Sequence, residues 1–366
     1  MTPAVLAARG LKPARFDGTW RNIYHGDNPL RIEPDTLQRE NNYFLMLGDW
    51  GKESGPGACQ SRVAEMMKAY VRKQSAMGRT LLFVADVGDS FYFTGNDGAA
   101  SWRRQWGAVY GHDDPASPLY NIPFLSVMGN HDYGNTDPYA LCPHKRPKAT
   151  VGGQPYGSNQ FNADKNPSRP AWTSRFWLPE YNYHYSLPSI GLELIAIDQN
   201  MVGMMADFPW GMGGSAEGHD TAFQACGGAK VVTEFLHKVG ASGEALLVDR
   251  AKKSDAQTVV LIQHYETEGA RVKDLFEVAR RKHGKPAARV LSAYGHTHDQ
   301  GCHRHNAESG QCELIMTGGG GGCCRDGAAK LVHGGFTAVH LTADGGFVSD
   351  VDSEEVKVQT EYECVW

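Results

Sequence analysis

Five apolar runs along this chain stop abruptly at a turn that carries a ligand-type side chain. Phe44-Leu45-Met46-Leu47 leads into Gly48-Asp49, and Leu81 to Ala85 leads into Gly88-Asp89-Ser90-Phe91-Tyr92. Phe124 to Met128 leads into Gly129-Asn130-His131-Asp132, Val259-Val260-Leu261-Ile262 into Gln263-His264, and Val290 to Tyr294 into Gly295-His296-Thr297-His298. Short continuous apolar runs bounded by turn residues predict strands buried on both faces. In open α/β folds, ligands bind in the crevice outside the carboxyl ends of the strands. Five such ends therefore predict one shared rim, with Asp89 as the candidate bridge between two metals.

Between these runs the hydrophobic period changes. A helix opened by Ser54-Gly55-Pro56 carries Val63, Met66, Met67, Tyr70 and Val71 at helical spacing, and with the strands Tyr43 to Leu47 and Thr80 to Ala85 it predicts a βαβ unit with a parallel pair. Ala99 to Tyr110 reads as a helix with Trp102 and Trp106 on one face, and Ile122 to Met128 as the third strand. Tyr183 to Leu187 and Leu192 to Ile197 read as hairpin strands. Glu244 to Lys253 and Arg271 to His283 read as helices that precede the strands Thr258 to Gln263 and Arg289 to Ala293. Four short β runs follow, Glu313 to Met316, Gly335 to Leu341, Phe347 to Val351 and Val356 to Thr360. The alternation predicts an α/β fold.

Residues 1–42 lack sustained periodicity and read as an arm packed on a single domain over 43–366. The stretches 138–179, rich in Pro, Gly, Asn and Lys, and 201–229, rich in Gly and Met, read as long surface loops of the kind that form functional rims or mobile segments. Gly318 to Gly322 is followed by Cys323 rather than by Lys-Ser/Thr, so it is no phosphate cradle of the Walker kind and predicts a close backbone approach beneath the site.

Composition narrows the class. No apolar run approaches the roughly 20 residues of a membrane helix, and a formal charge of -5 with scattered Lys and Arg argues against a nucleic-acid surface. The eight cysteines contain no CxxC, which argues against a zinc ribbon, and Cys302 and Cys312 bracket a polar turn where they could pair. Five of the eight lie after residue 300, which favours an oxidising compartment. Met1 to Ala8 is too short an apolar run for a secretory signal.

Asp, Asn, Tyr and His form an oxygen and nitrogen donor set for hard or borderline metals. One carboxylate can bridge two ions, and two ions roughly 3.5 to 4 Å apart clamp both oxygens of a phosphate displacement. The five blocks, in their order and spacing over residues 43 to 350, resemble the metallophosphoesterases, and in detail the purple acid phosphatases of the small, tartrate-resistant kind. That resemblance implies a four-layer α-β-β-α sandwich with two mixed sheets. It also implies Fe(III) held by Asp49, Asp89, Tyr92 and His298, and a second divalent ion, Fe(II), Zn(II) or Mn(II), held by Asp89, Asn130, His264 and His296. Most relatives have a histidine where this chain has Gly51, and Tyr92 stands in the second block instead.

The implied reaction is hydrolysis of phosphate monoesters by a metal-bound hydroxide, with His131 as a catalytic residue at the phosphoryl group and Asp132 orienting it. The residue stretch Tyr265 to Gly269 lacks the second histidine that many purple phosphatases carry, which leaves His131 or Glu268 for proton delivery. His303 and His305 read as polar-loop bystanders. Small phosphorylated substrates, no nucleic acid, no membrane span, a monomeric state and a secreted, lysosomal or vacuolar location complete the expectation. A phosphodiesterase or nucleotide pyrophosphatase, and a non-catalytic phosphatase-like scaffold, are the competing readings.

Overall fold

Strand β2 (Asn42–Leu47) and strand β3 (Thr80–Asp86) pair in parallel, joined by helix α1 (Cys59–Ala76), as the apolar periods require. The computed structural model describes residues 21–24, 30–51, 59–92, 95–96, 98–133, 160–162, 166, 169–201, 229–321, 333–351 and 355–359. Helix α1 buries Val63, Ala64, Met67, Tyr70 and Val71 on one stripe and stops before Gly78, whose φ of 77° only glycine adopts freely. The Ser54-Gly55-Pro56 opening lies outside the described residues.

Two mixed sheets form the centre. One has six strands in the order β14-β13-β2-β3-β4-β5, where β4 is Phe124–Ser126, β5 Phe176–Trp177, β13 Thr337–Leu341 and β14 Phe347–Asp350. Its run β2 to β5 is parallel, and β13 and β14 are antiparallel additions. The other has seven strands in the order β1-β6-β7-β8-β9-β11-β10. These are β1 (Arg21–Tyr24), β6 (Tyr183–Leu187), β7 (Leu192–Ala196), β8 (Thr258–Ile262), β9 (Arg289–Tyr294), β10 (Gln300–His305) and β11 (Cys312–Thr317). A small ladder joins β12 (His333–Gly335) to β15 (Lys357–Gln359).

The layers follow from period-two alternation. On β8, Val260 and Ile262 enter the core shared by the two sheets, whereas Val259 and Leu261 meet Leu246, Leu247, Val272 and Phe276. Those four come from α3 (Ala229–Lys253) and α4 (Glu266–Lys282), which cover the outer face of the seven-stranded sheet. With α1 on the six-stranded side, the order is helix, sheet, sheet, helix. This is the α/β sandwich implied by the resemblance.

Several elements differ in extent from the sequence pattern. Helix α3 begins at Ala229 rather than Glu244, because Gly240 and Gly243 break the apolar period without breaking the helix. A Cβ at Gly243 would stand 2.6 Å from Ile197 and 2.7 Å from the Asn182 side chain, so glycine is what lets the helix lie against β7. The segment 99–110, α2, is helical with a π-turn over Trp102–Gly107, which places the Trp102 and Trp106 rings 5.8 Å apart in the core. The Cys-His-Arg-His run expected as polar loop is edge strand β10, tied to β11 by the Cys302–Cys312 disulfide. Residues 21–24 of the expected arm are β1, paired in parallel with β6. Cys142, Cys226, Cys323, Cys324 and Cys364 lie outside the described residues, as do most of the two long loops.

Candidate metal centre

The parallel strands β2, β3, β4, β8 and β9 present their C-terminal turns at one rim, and the turns are laced to one another through the backbone. Asp49 N donates to Gly88 O (2.9 Å), Trp50 N to Asp89 O (3.2 Å) and Tyr92 N to Gly51 O (3.0 Å). Among the described residues, four non-glycine residues have positive φ: Asp49 at 55°, Asp89 at 51°, His296 at 71° and His298 at 53°. Left-handed backbone is uncommon for residues with a Cβ and persists where the surroundings over-determine it, most often at functional sites. Every such residue here is one that the sequence singled out.

Asp49 and Asp89 are fully buried, and the acceptors and donors around them converge. The Tyr92 hydroxyl donates toward Asp49 Oδ1 and Asp89 Oδ2, each at 3.0 Å, and sits 2.8 Å from His298 Nε2. His298 Nε2 is 3.4 Å from Asp49 Oδ1, and His264 Nε2 is 3.4 Å from Asp89 Oδ2. Asn130 Oδ1 faces His264 Nε2 at 3.0 Å and His296 Nδ1 at 3.1 Å. Asp49, Asp89 and His298 bring their donor atoms within 4.8 Å of one another, and so do Asp89, His264 and His296. Asp89 belongs to both groups.

This donor set fits hard or borderline cations. Two buried carboxylates, a phenol, an amide oxygen and three imidazoles offer oxygen and nitrogen alone. Burial works against the charge of Asp89, yet the imidazoles of His264, His131 and His296 hold its pKa well below the usual carboxylate range. Burial also opposes protonation of His264, but Asp89 outweighs it and raises the imidazole to about 9. His264 Nδ1 lies 3.0 Å from the Val87 carbonyl, which can only accept, so Nδ1 carries the proton and Nε2 faces the cluster.

Glycines surround the carboxylates because nothing larger fits. A Cβ at Gly129 would stand 2.2 Å from Asp89 Oδ1, one at Gly295 2.2 Å from Asp49 Oδ2, and one at Gly318 2.8 Å from that same oxygen. The glycine run expected beneath the site does approach it there. At Gly51 a Cβ would meet the Ser90 carbonyl oxygen at 1.8 Å. A histidine at position 51 is therefore incompatible with this backbone, and the phenol of Tyr92 reaches the cluster from the turn that Gly51 admits.

His131 stands beside the cluster, half-buried, with its ring 4.3 Å from that of Tyr92 and its backbone N–H on Asp89 Oδ1 at 2.8 Å. Asp132 lies behind. Its Oδ1 accepts from Ser90 N (3.0 Å), Phe91 N (3.2 Å) and Gln160 Nε2 (2.7 Å), and its Oδ2 from Gly129 N (2.8 Å). Those bonds clamp the Asp89 and Asn130 turns together. The side chain of Glu268 lies outside the described residues, whereas His303 pairs with the Tyr294 hydroxyl and Glu266 on the helix-facing side. One residue escaped the sequence reading: Asp86, at the last position of β3, is fully buried beside the Asp49 and Asp89 turns. A carboxylate ending an apolar strand was its visible signal.

A 90-residue stretch of the chain is 34% identical to tartrate-resistant acid phosphatase type 5 of Mus musculus, 32% to that of Sus scrofa and 34% to that of Rattus norvegicus. The chain spans about a quarter of the length of these curated relatives, and the match covers 25% of the chain in each case. No family model matches. The relationship is thus to acid phosphatases over that stretch, and it agrees with Asp and His groups that can hold metal. Among the described residues, no helix is long and apolar enough to cross a membrane.

Proposed function

We propose that this chain is a metal-dependent acid phosphatase that hydrolyses phosphate monoesters at a two-metal centre. The observation that carries the reading is the pair of donor groups sharing Asp89. Asp49, Asp89, Tyr92 and His298 would hold Fe(III), for which a phenolate is a favourable ligand, and Asp89, Asn130, His264 and His296 would hold a divalent Fe, Zn or Mn ion. Two bound cations would supply Lewis acidity toward a phosphoryl oxygen and toward water.

The protein's own residues do the rest. The buried Asp49, Asp89 and His264, with the half-buried His296 and His298, form a preorganised polar floor, so charge that develops on a substrate meets fixed dipoles. His131, half-buried at the edge of that floor, is placed to donate a proton or hydrogen bond to a phosphoryl or leaving-group oxygen. Asp132 serves as a positioning residue, since its oxygens hold the turns from which Asp89, Asn130 and His131 project. The Cys302–Cys312 bridge supports an oxidising location, secreted, lysosomal or vacuolar.

Assay of the purified protein on a monoester and a diester of p-nitrophenol, before and after chelation, tests the reading. Monoester turnover that disappears on chelation and returns with iron and zinc is expected. A clear diester preference, or no turnover in a fully metallated sample, overturns it.

A further inference from the structure

Asp86 has no place in that reaction, yet it is a fully buried carboxylate that accepts four hydrogen bonds near the rim. Its Oδ1 accepts from Trp50 Nε1 (3.1 Å) and Gly88 N (3.3 Å). Its Oδ2 accepts from Ser90 Oγ (2.7 Å) and Ser126 Oγ (2.8 Å). Trp50 follows Asp49, Gly88 and Ser90 flank Asp89, and Ser126 ends the strand that leads to Asn130. One buried group thus touches the two turns that carry Asp49 and Asp89 and the end of the strand that leads to Asn130.

We propose that Asp86 is a positioning residue of the metal centre, fixing the separation and left-handed conformation of the Asp49 and Asp89 turns through Trp50, Gly88, Ser90 and Ser126. Backbone at positive φ in a residue with a Cβ returns to ordinary conformations unless neighbouring bonds hold it. The bonds from Asp86 supply that restraint on either side of Asp89 and one residue past Asp49. Trp50 transmits it further, because its ring packs edge-on against Phe91 at 5.3 Å and Tyr110 at 5.3 Å. The role rests on the reading of Asp49 and Asp89 as metal ligands, and residues that orient ligands from behind typically contribute ten- to a hundredfold in metal affinity.

Geometry also separates positioning from simple charge attraction. An asparagine at this position keeps an oxygen for the Trp50 and Gly88 N–H groups. Its NH2 can donate to the Ser90 and Ser126 oxygens, while the Ser126 hydroxyl turns to the Val127 carbonyl, 3.3 Å away. The decisive experiment is titration of chelator-stripped full-length protein with Zn(II) ions, read by competition with a chromophoric chelator, for wild type, Asp86→Asn, Asp86→Ala and the double variant Ser90→Ala/Ser126→Ala. The expected result is two sites in wild type, affinity within about threefold of it in Asp86→Asn, and at least a tenfold loss in Asp86→Ala. Should Asp86→Ala fail to fold, the serine double variant carries the test, with a loss of about threefold or more expected. Unchanged affinity in the Ala and serine variants, or a loss in Asp86→Asn equal to that in Asp86→Ala, overturns the proposal while two-site binding by wild type leaves the metal centre standing. Absence of two-site binding in wild type overturns the metal centre itself.

Discussion

Gly51 and Ser90 are in such close contact that a Cβ on the first would stand 1.8 Å from the carbonyl oxygen of the second. The two turns that carry Asp49 and Asp89 can lie side by side only while position 51 is glycine, and the Gly51 carbonyl then accepts the Tyr92 N–H at 3.0 Å. Gly51→Ala must push the turns apart against backbone, which no rotamer change relieves. We expect a destabilisation of about 3 kcal/mol or more, read from denaturant unfolding, and loss of metal-dependent turnover. Gly51→His, which would install a ligand type at that position, is expected to fare worse rather than better. A functional, stable Gly51→His protein would show that the turns adapt.

Tyr92 brings one hydroxyl within 3.0 Å of two carboxylate oxygens and 2.8 Å of an imidazole. Tyr92→Phe keeps the ring, including its contact with His131 at 4.3 Å, and removes the oxygen alone. Iron-reconstituted wild type is expected to show a visible tyrosinate-to-iron band and the Phe variant none, with turnover reduced at least about tenfold. A band that survives in the variant would assign the colour to another phenol and remove Tyr92 from the ligand set.

Asp132 accepts three backbone N–H groups and one amide N–H, all buried. Asp132→Ala leaves those donors without an acceptor, at about 1 to 3 kcal/mol for each one left unsatisfied. The expectation is a strongly destabilised protein. Asp132→Asn separates clamping from a direct part in proton transfer: the pH profile of kcat should keep its shape, with the loss confined to stability. A displaced acid or basic limb in that variant would give Asp132 a direct part in proton transfer through His131.

The strand ends were legible because burial on both faces writes continuous apolar runs, and each run here stops at a residue whose chemistry differs from the core. Gly243 hid fifteen residues of α3, since the feature that allows close helix packing on Ile197 is the same one that interrupts helical periodicity. Edge strand β10 was illegible for the opposite reason: its outer positions face water, so His303 and His305 look like loop, and the pairing with β11 is a long-range fact. Among the candidate site residues, motif order pointed to Asp49, Asp89, Tyr92, Asn130, His131, His264, His296 and His298. The bonds of Asp86 and Asp132 to neighbouring turns depend on which turns meet in space, and no local pattern encodes that.

The fold also carries an acid-sensitive element away from the rim. His184 on β6 is buried, with Nδ1 3.3 Å from Ser186 Oγ and 3.9 Å from Glu193 Oε1. Glu193 is already engaged by Arg250 Nε at 2.7 Å and NH2 at 3.0 Å and by Ser254 Oγ at 2.8 Å, so its charge is largely spent. Burial, then the Arg250 charge, push the imidazole down to about 4, against the smaller opposing pull of Glu193. Because the unfolded chain binds this proton near pH 6.5 and the folded chain only near 4, the unfolded state holds more protons in between. The stabilisation is complete above about pH 6.5 and is lost as pH falls toward 4, a change on the order of 3 kcal/mol. Thermal unfolding of wild type should therefore shift to lower temperature across that window, and His184→Gln should lose that part of the slope. Equal slopes in the two proteins would place the titration elsewhere. If the proposed phosphatase activity is assayed in acid, the acidic limb of the profile would contain unfolding as well as chemistry, and the His184→Gln variant separates the two.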